Sequence, residues 1–188
     1  MDTGQTKSSE SPKLAALRER LDSGDGAALE SFWREVAEQG APLVGLVEDD
    51  PDHVRVTLVY RDPAAASVSV VGGLSGIDPL HLEMSSLDGT DLWHRSYRVP
   101  ADVRTVYWFA ANSELDDWKT WRHDPLNPRT FVYPADDEIE DDQELVGSLL
   151  ELSAAPPFAW SERRDGAAAG ATELHRLRSE ILGNERRV

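Results

Sequence analysis

The chain has 188 residues and a formal net charge of −16, with 35 acidic side chains against 19 basic ones. That balance argues against a nucleic-acid binder or a protein of anionic membranes, both of which need a basic face. Cysteine is absent, which excludes a disulfide framework, a cysteine nucleophile and a thiolate zinc site.

Residues Met1–Glu10 are polar and read as a tail. They lack the apolar stretch of a signal peptide, and no run in the chain is long enough to span a bilayer, so a cytoplasmic protein is expected. Leu14, Leu17 and Leu21 recur at helical spacing and predict a helix over Pro12–Leu21. A second helix is predicted over Ala27–Gln39, with Leu29, Phe32, Trp33 and Val36 in one stripe and Gly40 as its stop. Such a stripe docks on a sheet or a neighbouring domain.

From Pro42 the pattern changes to strands. Pro42–Glu48 is short, and EDDPD reads as a polar turn. In His53–Arg61, Val54, Val56, Leu58 and Tyr60 alternate with polar neighbours. Ser67–Gly72 follows, then the short apolar Leu80–Met84. The densest aromatic stretch is Gly89–Asn112, which predicts a hairpin: one strand over Asp91–Val99, a turn at Pro100-Ala101-Asp102, and a return over Val103–Ala110. Residues 113–134 hold three prolines and two tryptophans without a period, and read as a docked loop. Asp136–Glu144 is an acidic loop whose spacing does not fit a calcium site of the EF-hand type. Val146–Leu152 is the last strand of what these short, turn-separated strands make an antiparallel β-sandwich.

RDGAAAG at Arg164–Gly170 reads as a linker, and ATELHRLRSEILGNERRV after it fits either a helix or a hairpin turning at Gly183-Asn184. As a hairpin it would stop one strand too early, since a lone strand pair is marginal. The expected division is therefore a tail and short helix over 1–25, a sandwich domain over 26–155, and a linker with the first strands of a further domain over 156–188.

No catalytic set is visible. Gly73-Leu74-Ser75-Gly76-Ile77 resembles a nucleophile elbow, but its fifth position is Ile77, and Asp78-Pro79 stands where the elbow needs a helix. His53, His81, His94, His123 and His175 form no zinc-binding spacing; His94 and His123 lie near the aromatic stretch, within reach of a ligand there, but solvent-facing positions fit them better. No phosphate-cradling glycine motif occurs. The one local contrast is a group of cations around the aromatic stretch: Arg95, Arg98, Arg104, Lys119, Arg122 and Arg129, interleaved with Trp93, Trp108, Trp118 and Trp121. Arginine stacks on rings and pairs with anionic oxygen, so Arg95, Arg98, Arg104, Trp108, Trp118 and Arg122 are candidates to bind an aromatic anion. The ordinary alternative is tryptophans in the core and arginines on the rim.

The succession of a Gly72-Gly73 loop, GTDLWHRSYRVP, VYWF and His123-DPLNPR resembles the N-terminal domain of enterochelin (ferric enterobactin) esterases. The likeness covers about Phe32–Leu152, and ILGNERRV resembles the start of the α/β-hydrolase domain that follows in that family, which favours the hairpin over the helix. It implies an immunoglobulin-like sandwich beside a hydrolase domain with a Ser-His-Asp type triad that cleaves siderophore ester bonds and frees iron in the cytoplasm. It implies no resident cofactor, iron arriving only inside the siderophore. No triad residue maps onto this sequence, so the segment is expected to be the non-catalytic, substrate-side domain. Its partners would be the hydrolase domain and a ferric catecholate. Sandwiches of this size also resemble the glycan-binding modules of glycogen-branching enzymes, and a purely structural support for the hydrolase is a third reading.

Overall fold

The computed structural model describes residues 11–74, 82–112, 115, 117–136, 138–158, 165, 166, 168, 170, 171 and 173–187. Contacts divide the chain into two compact units, Met1–Ala155 and Pro156–Val188.

The first unit opens with two helices, α1 (Pro12–Asp22) and α2 (Ala28–Gln39). Pro12 sits in the first turn of α1, where its missing N–H costs nothing. Gly40 ends α2 at φ 82°, a left-handed conformation that glycine adopts without a Cβ penalty. The strands follow in two antiparallel sheets. The first has the order β1 (Leu43–Val47), β2 (Asp50–Arg61), β5 (Leu92–Pro100), β4 (Ser85–Ser86). The second has the order β3 (Val68–Gly72), β6 (Arg104–Ala111), β8 (Leu145–Glu151), β7 (Thr130–Tyr133).

Period-two alternation gives each sheet an inner and an outer face. Val56 and Leu58 of β2 with Tyr97 and Val99 of β5 meet Val70, Tyr107, Phe109 and Leu150 of the second sheet in one core. Residues 82–84 close one side of this sandwich, bonding to β3 through Val70 N–H to Leu82 O and Met84 N–H to Val68 O. The outer face of the first sheet offers Leu43, Val59 and Leu92, and the stripes of both helices bury there: Leu14, Leu17, Phe32, Trp33 and Val36. Trp33 Nε1–H donates to Asp91 at 3.1 Å, tying helix to sheet.

Several expectations change. The aromatic stretch is not a hairpin. Its turn forms, with Val103 N–H bonded to Pro100 O, but β5 and β6 enter different sheets. Each already has two partners, β2 and β4 for β5, β3 and β8 for β6, so neither has an edge left for the other. The turn before β2 shrinks to Glu48-Asp49: Asp49 takes φ 58°, and Asp50 pairs with Val47. Thr130–Tyr133 is a strand inside the stretch read as loop. Of Leu80–Met84, Leu80 and His81 lie outside the described residues, as do Ser75, Gly76 and Ile77 of the elbow-like loop.

In the second unit the hairpin alternative is the one adopted. β9 (Arg176–Ser179) pairs with β10 (Asn184–Arg187), Asn184 opposite Ser179, so the turn is residues 180–183 with Gly183 at φ 63°. Leu177, Ile181 and Leu182 are exposed there.

Candidate functional site

The six candidate residues do not converge. Alternation on β5 puts Arg95 on the inner side of its sheet with Tyr97 and Val99, and Arg98 on the outer side. Arg95 Nη1 donates to Glu83 O at 3.0 Å and its guanidinium lies 5.6 Å from the Tyr97 ring. Arg98 pairs with Asp50, which also meets His53 Nδ1 at 3.0 Å. His53 and then Arg98 hold the Asp50 carboxyl below its usual range. Arg104 pairs with Glu151 on the outer face of the second sheet, and Arg129 joins from the other side. The bond from Arg104 lowers the pKa of Glu151 first, with Arg129 adding to it. These three arginines are each engaged with a different partner on a different surface.

Trp108 and the segment that carries Trp118 and Arg122 are joined through the backbone. Phe109 and Arg122 exchange backbone bonds, Phe109 N–H to Arg122 O at 2.8 Å and Arg122 N–H to Phe109 O at 2.9 Å. That bridge lays Trp121 beside Trp108, ring centroids 5.4 Å apart. The preceding residues, Trp118–Thr120, form a single 3-10 turn. Arg122 Nη1–H donates to Lys119 O and Trp121 O, and Lys119 Nζ lies 5.9 Å from the Trp118 ring. Two cations and two indoles thus sit within five residues. Rings and permanent cations of this kind bind and orient anions but do not carry protons near neutral pH.

Trp108 is a floor to this turn and not a contact surface. Only 6% of it is exposed, and its Nε1–H donates to Val146 O at 2.8 Å. It lies across Gly147, where an added Cβ would come within 2.7 Å of Trp108 Cζ2 and 2.3 Å of Val106 Cγ1. The glycine is required by that close approach. Beyond Trp108 the aromatic row continues to Tyr133 at 5.9 Å, and from Tyr133 to Phe131 at 4.8 Å. Phe131 and Tyr133 were not singled out in the sequence. Their signal is a ring at every second position of TFVY, obscured by the prolines before and after it.

The HDPLNPR element has a structural role. Asp124 is fully buried and accepts from Tyr107 O–H at 2.8 Å and from Leu126 N–H at 2.9 Å. Asn127 Nδ2–H reaches Tyr107 Oη and Leu149 O, and Ser148 Oγ accepts from Asp124 N–H. Leu126 O accepts from Ala41 N–H, where α2 leads into β1. The loop therefore clamps the helix layer to the second sheet through a satisfied polar network. Burial raises the Asp124 pKa against the lowering effect of these bonds, and burial also pushes the Tyr107 hydroxyl well above its ordinary value. His123, next in sequence, is exposed.

Residues 55–161 match the family described as enterochelin esterase, N-terminal. The chain is 35% identical over 198 residues to an iron(III) enterobactin esterase of Dickeya dadantii, covering 89% of this chain and 44% of that protein. It is 35% identical over 97 residues to an iron(III) salmochelin esterase of Escherichia coli, covering 50% of this chain and 24% of the relative. The enterobactin esterase of Shigella flexneri, solved in the presence of 2,3-dihydroxy-N-benzoyl-glycine, shares the fold at a TM-score of 0.52 and 23% identity, over 84% of this chain and 44% of that one. The chain spans less than half the length of these relatives. The match takes in the whole of the second sheet and most of the first, and begins inside β2, after the two helices and β1.

Proposed function

This chain belongs to the enterochelin esterase N-terminal family, and on that premise we propose that it is the non-catalytic, substrate-side domain of a cytoplasmic esterase. The substrate class is a ferric siderophore whose ester bonds are hydrolysed to release iron. The observation that carries this reading is the match over residues 55–161, which encloses the aromatic strands and the clamp loop alike. The sandwich is then immunoglobulin-like, and the hairpin from Arg176 to Arg187 contributes the first strands of an α/β-hydrolase domain. Chemistry belongs to that second domain: serine attack, histidine as base, and backbone amides stabilising the oxyanion. Iron enters only as part of the substrate.

Within this chain the contact falls to the turn from Trp118 to Arg122. A ferric catecholate is aromatic and anionic, and a protein of net charge −16 repels it at long range. Lys119 and Arg122 of the turn supply cations against that repulsion, and its rings offer a surface to stack on. Arg95, Arg98 and Arg104, tied to other partners, contribute to the field and not to a shared pocket.

The test is titration of the chain with ferric enterobactin, followed by tryptophan fluorescence corrected for absorbance. Quenching that saturates in the native chain and weakens at least tenfold in Arg122→Glu supports the reading. Equal quenching in both removes the turn from the binding face. Saturable binding of a maltooligosaccharide without response to the siderophore would favour the glycan-binding alternative, since Trp118 and Trp121 could equally stack on sugar faces.

A further inference from the structure

Where α1 starts above the edge of the first sheet, the helix layer leaves a cavity of about 330 Å³. Its walls come from the start of α1, the end of α2 at Gln39 and Gly40, and the strands β1 and β2. In a chain with 35 acidic and 19 basic side chains, the described residues that line it include Lys13 and Arg55 and no carboxylate.

Three features of this lining suit an anion. The first is Ser11, which stands at the N-cap of α1 but makes no side-chain cap bond. It is only 5% exposed and lines the cavity, and among the described residues its hydroxyl has no hydrogen-bond partner. A buried hydroxyl left so costs free energy that a ligand oxygen recovers. The second is the helix start itself. Pro12 has no N–H, and the first intrahelical bond runs from Ala15 N–H to Ser11 O, so the N–H groups of Lys13 and Leu14 precede the ladder. The first turn holds no acidic residue. It holds Lys13 instead, the sign that the positive end of a helix disfavours, with Nζ donating to Gln39 Oε1. The third is Gly45. It pairs with Arg55 across β1 and β2, and an added Cβ there would meet nothing within 4 Å. A glycine inside a strand gives close access to the backbone, here beside a guanidinium.

We propose that this cavity binds a compact oxyanion, the phosphate or carboxylate group of a small organic acid. Lys13 and Arg55 balance its charge, the Ser11 hydroxyl and the N–H groups at the start of α1 donate to its oxygens, and Gly45 leaves them room. The volume is at the lower end for small-molecule sites, and Pro12, Pro42 and Leu43 add apolar wall, so the group carries a short carbon body. Apart from Arg55 and Thr57, the lining precedes the matched residues 55–161, and binding here is independent of the siderophore reading.

The test is isothermal titration calorimetry of the 188-residue chain at low ionic strength. Glycerol 3-phosphate and succinate are the separate probes, and sodium chloride at matched ionic strength is the control. The expected result is saturable binding of one equivalent of at least one probe. Affinity should fall at least tenfold in Lys13→Glu, a change that favours the helix end and so keeps the fold. It should fall as far in Gly45→Val, which fills the space beside Arg55 with a residue that suits a strand. It should be unchanged in Leu46→Ser, on the opposite side of β1 from Gly45. Circular dichroism of each variant checks that the fold is kept. Binding of one probe alone supports the site and names phosphate or carboxylate as its source. No saturable heat from either probe up to about 10 mM, past the range of millimolar affinity, overturns the site. Equal affinity in the native chain, Lys13→Glu and Gly45→Val overturns its placement in this cavity.

Discussion

The outer faces of the two sheets are built from similar residues and meet different fates. On the first, Trp33 is 5% exposed because a helix carries it onto the sheet. On the second, Tyr133 and Phe131 remain nearly half exposed on an edge strand. Among the described residues the difference is that helices cover the first face and not the second. It teaches that an aromatic strand is not by itself evidence of core or of site. What the chain places over it decides.

Four substitutions sharpen or break that contrast. The largest effect is expected for Trp33→Ala, which removes a buried ring and its bond to Asp91. Large-to-small changes of this kind cost about 3–5 kcal/mol, read as a lower urea midpoint. A loss below about 1 kcal/mol would mean that the helix layer is loosely held. Next comes Tyr107→Phe, which leaves the buried Asp124 carboxyl short of a donor. A loss of about 1–3 kcal/mol is expected, and the native value would show that the clamp is dispensable. Gly147→Ala is expected to cost a similar ~1–3 kcal/mol by overpacking. It should also move the tryptophan emission, since Trp108 lies against the new methyl group. The smallest effect is expected for Phe131→Ser in the isolated chain, within about 0.5 kcal/mol, as for other exposed positions. A drop comparable to that of Trp33→Ala would show that the second face is covered after all.

The clamp also has a pH signature. Burial raises the folded-state pKa of Asp124 above its unfolded value. Its contribution to stability is therefore fully present below the unfolded pKa and is lost as pH rises through the folded one. Asp124→Asn removes that dependence. Measured against the native chain from pH 3 to pH 7, the variant should gain relative stability as pH rises. A constant difference would mean that the carboxyl is not desolvated. Asp50 and Glu151, whose pKa values are lowered, act in the opposite sense in both proteins and cancel in the comparison.

Much of the fold was legible in the residues. The helical stripes, the alternation in β2 and the last strand each follow from a period that local sequence displays. β7 was hidden because four residues between prolines are too few for a period. The partition of β5 and β6 was hidden for another reason. A short turn between two aromatic strands fits a hairpin and a crossover equally well, and the outcome depends on which other strands have already filled each edge. For the site, the sequence grouped six residues by nearness along the chain. Arg95 and Arg98 are three apart on a strand and so face opposite ways. Arg104 was drawn to Glu151, 47 residues on. Trp118 and Arg122 stayed on one short segment, but the ring it lays on Trp108 is that of Trp121.

The sequence by itself determined the absence of thiol chemistry, the acidic balance, the antiparallel strands and the likeness to an esterase family, because each is written in residue identity or short-range period. The tertiary structure alone decided which rings are floor and which are face, and that DPLNP clamps the α2–β1 junction to the second sheet. Those outcomes depend on pairings such as Phe109 with Arg122 and Asp124 with Tyr107, where segments distant along the chain compete for the same hydrogen bonds and the same buried surface.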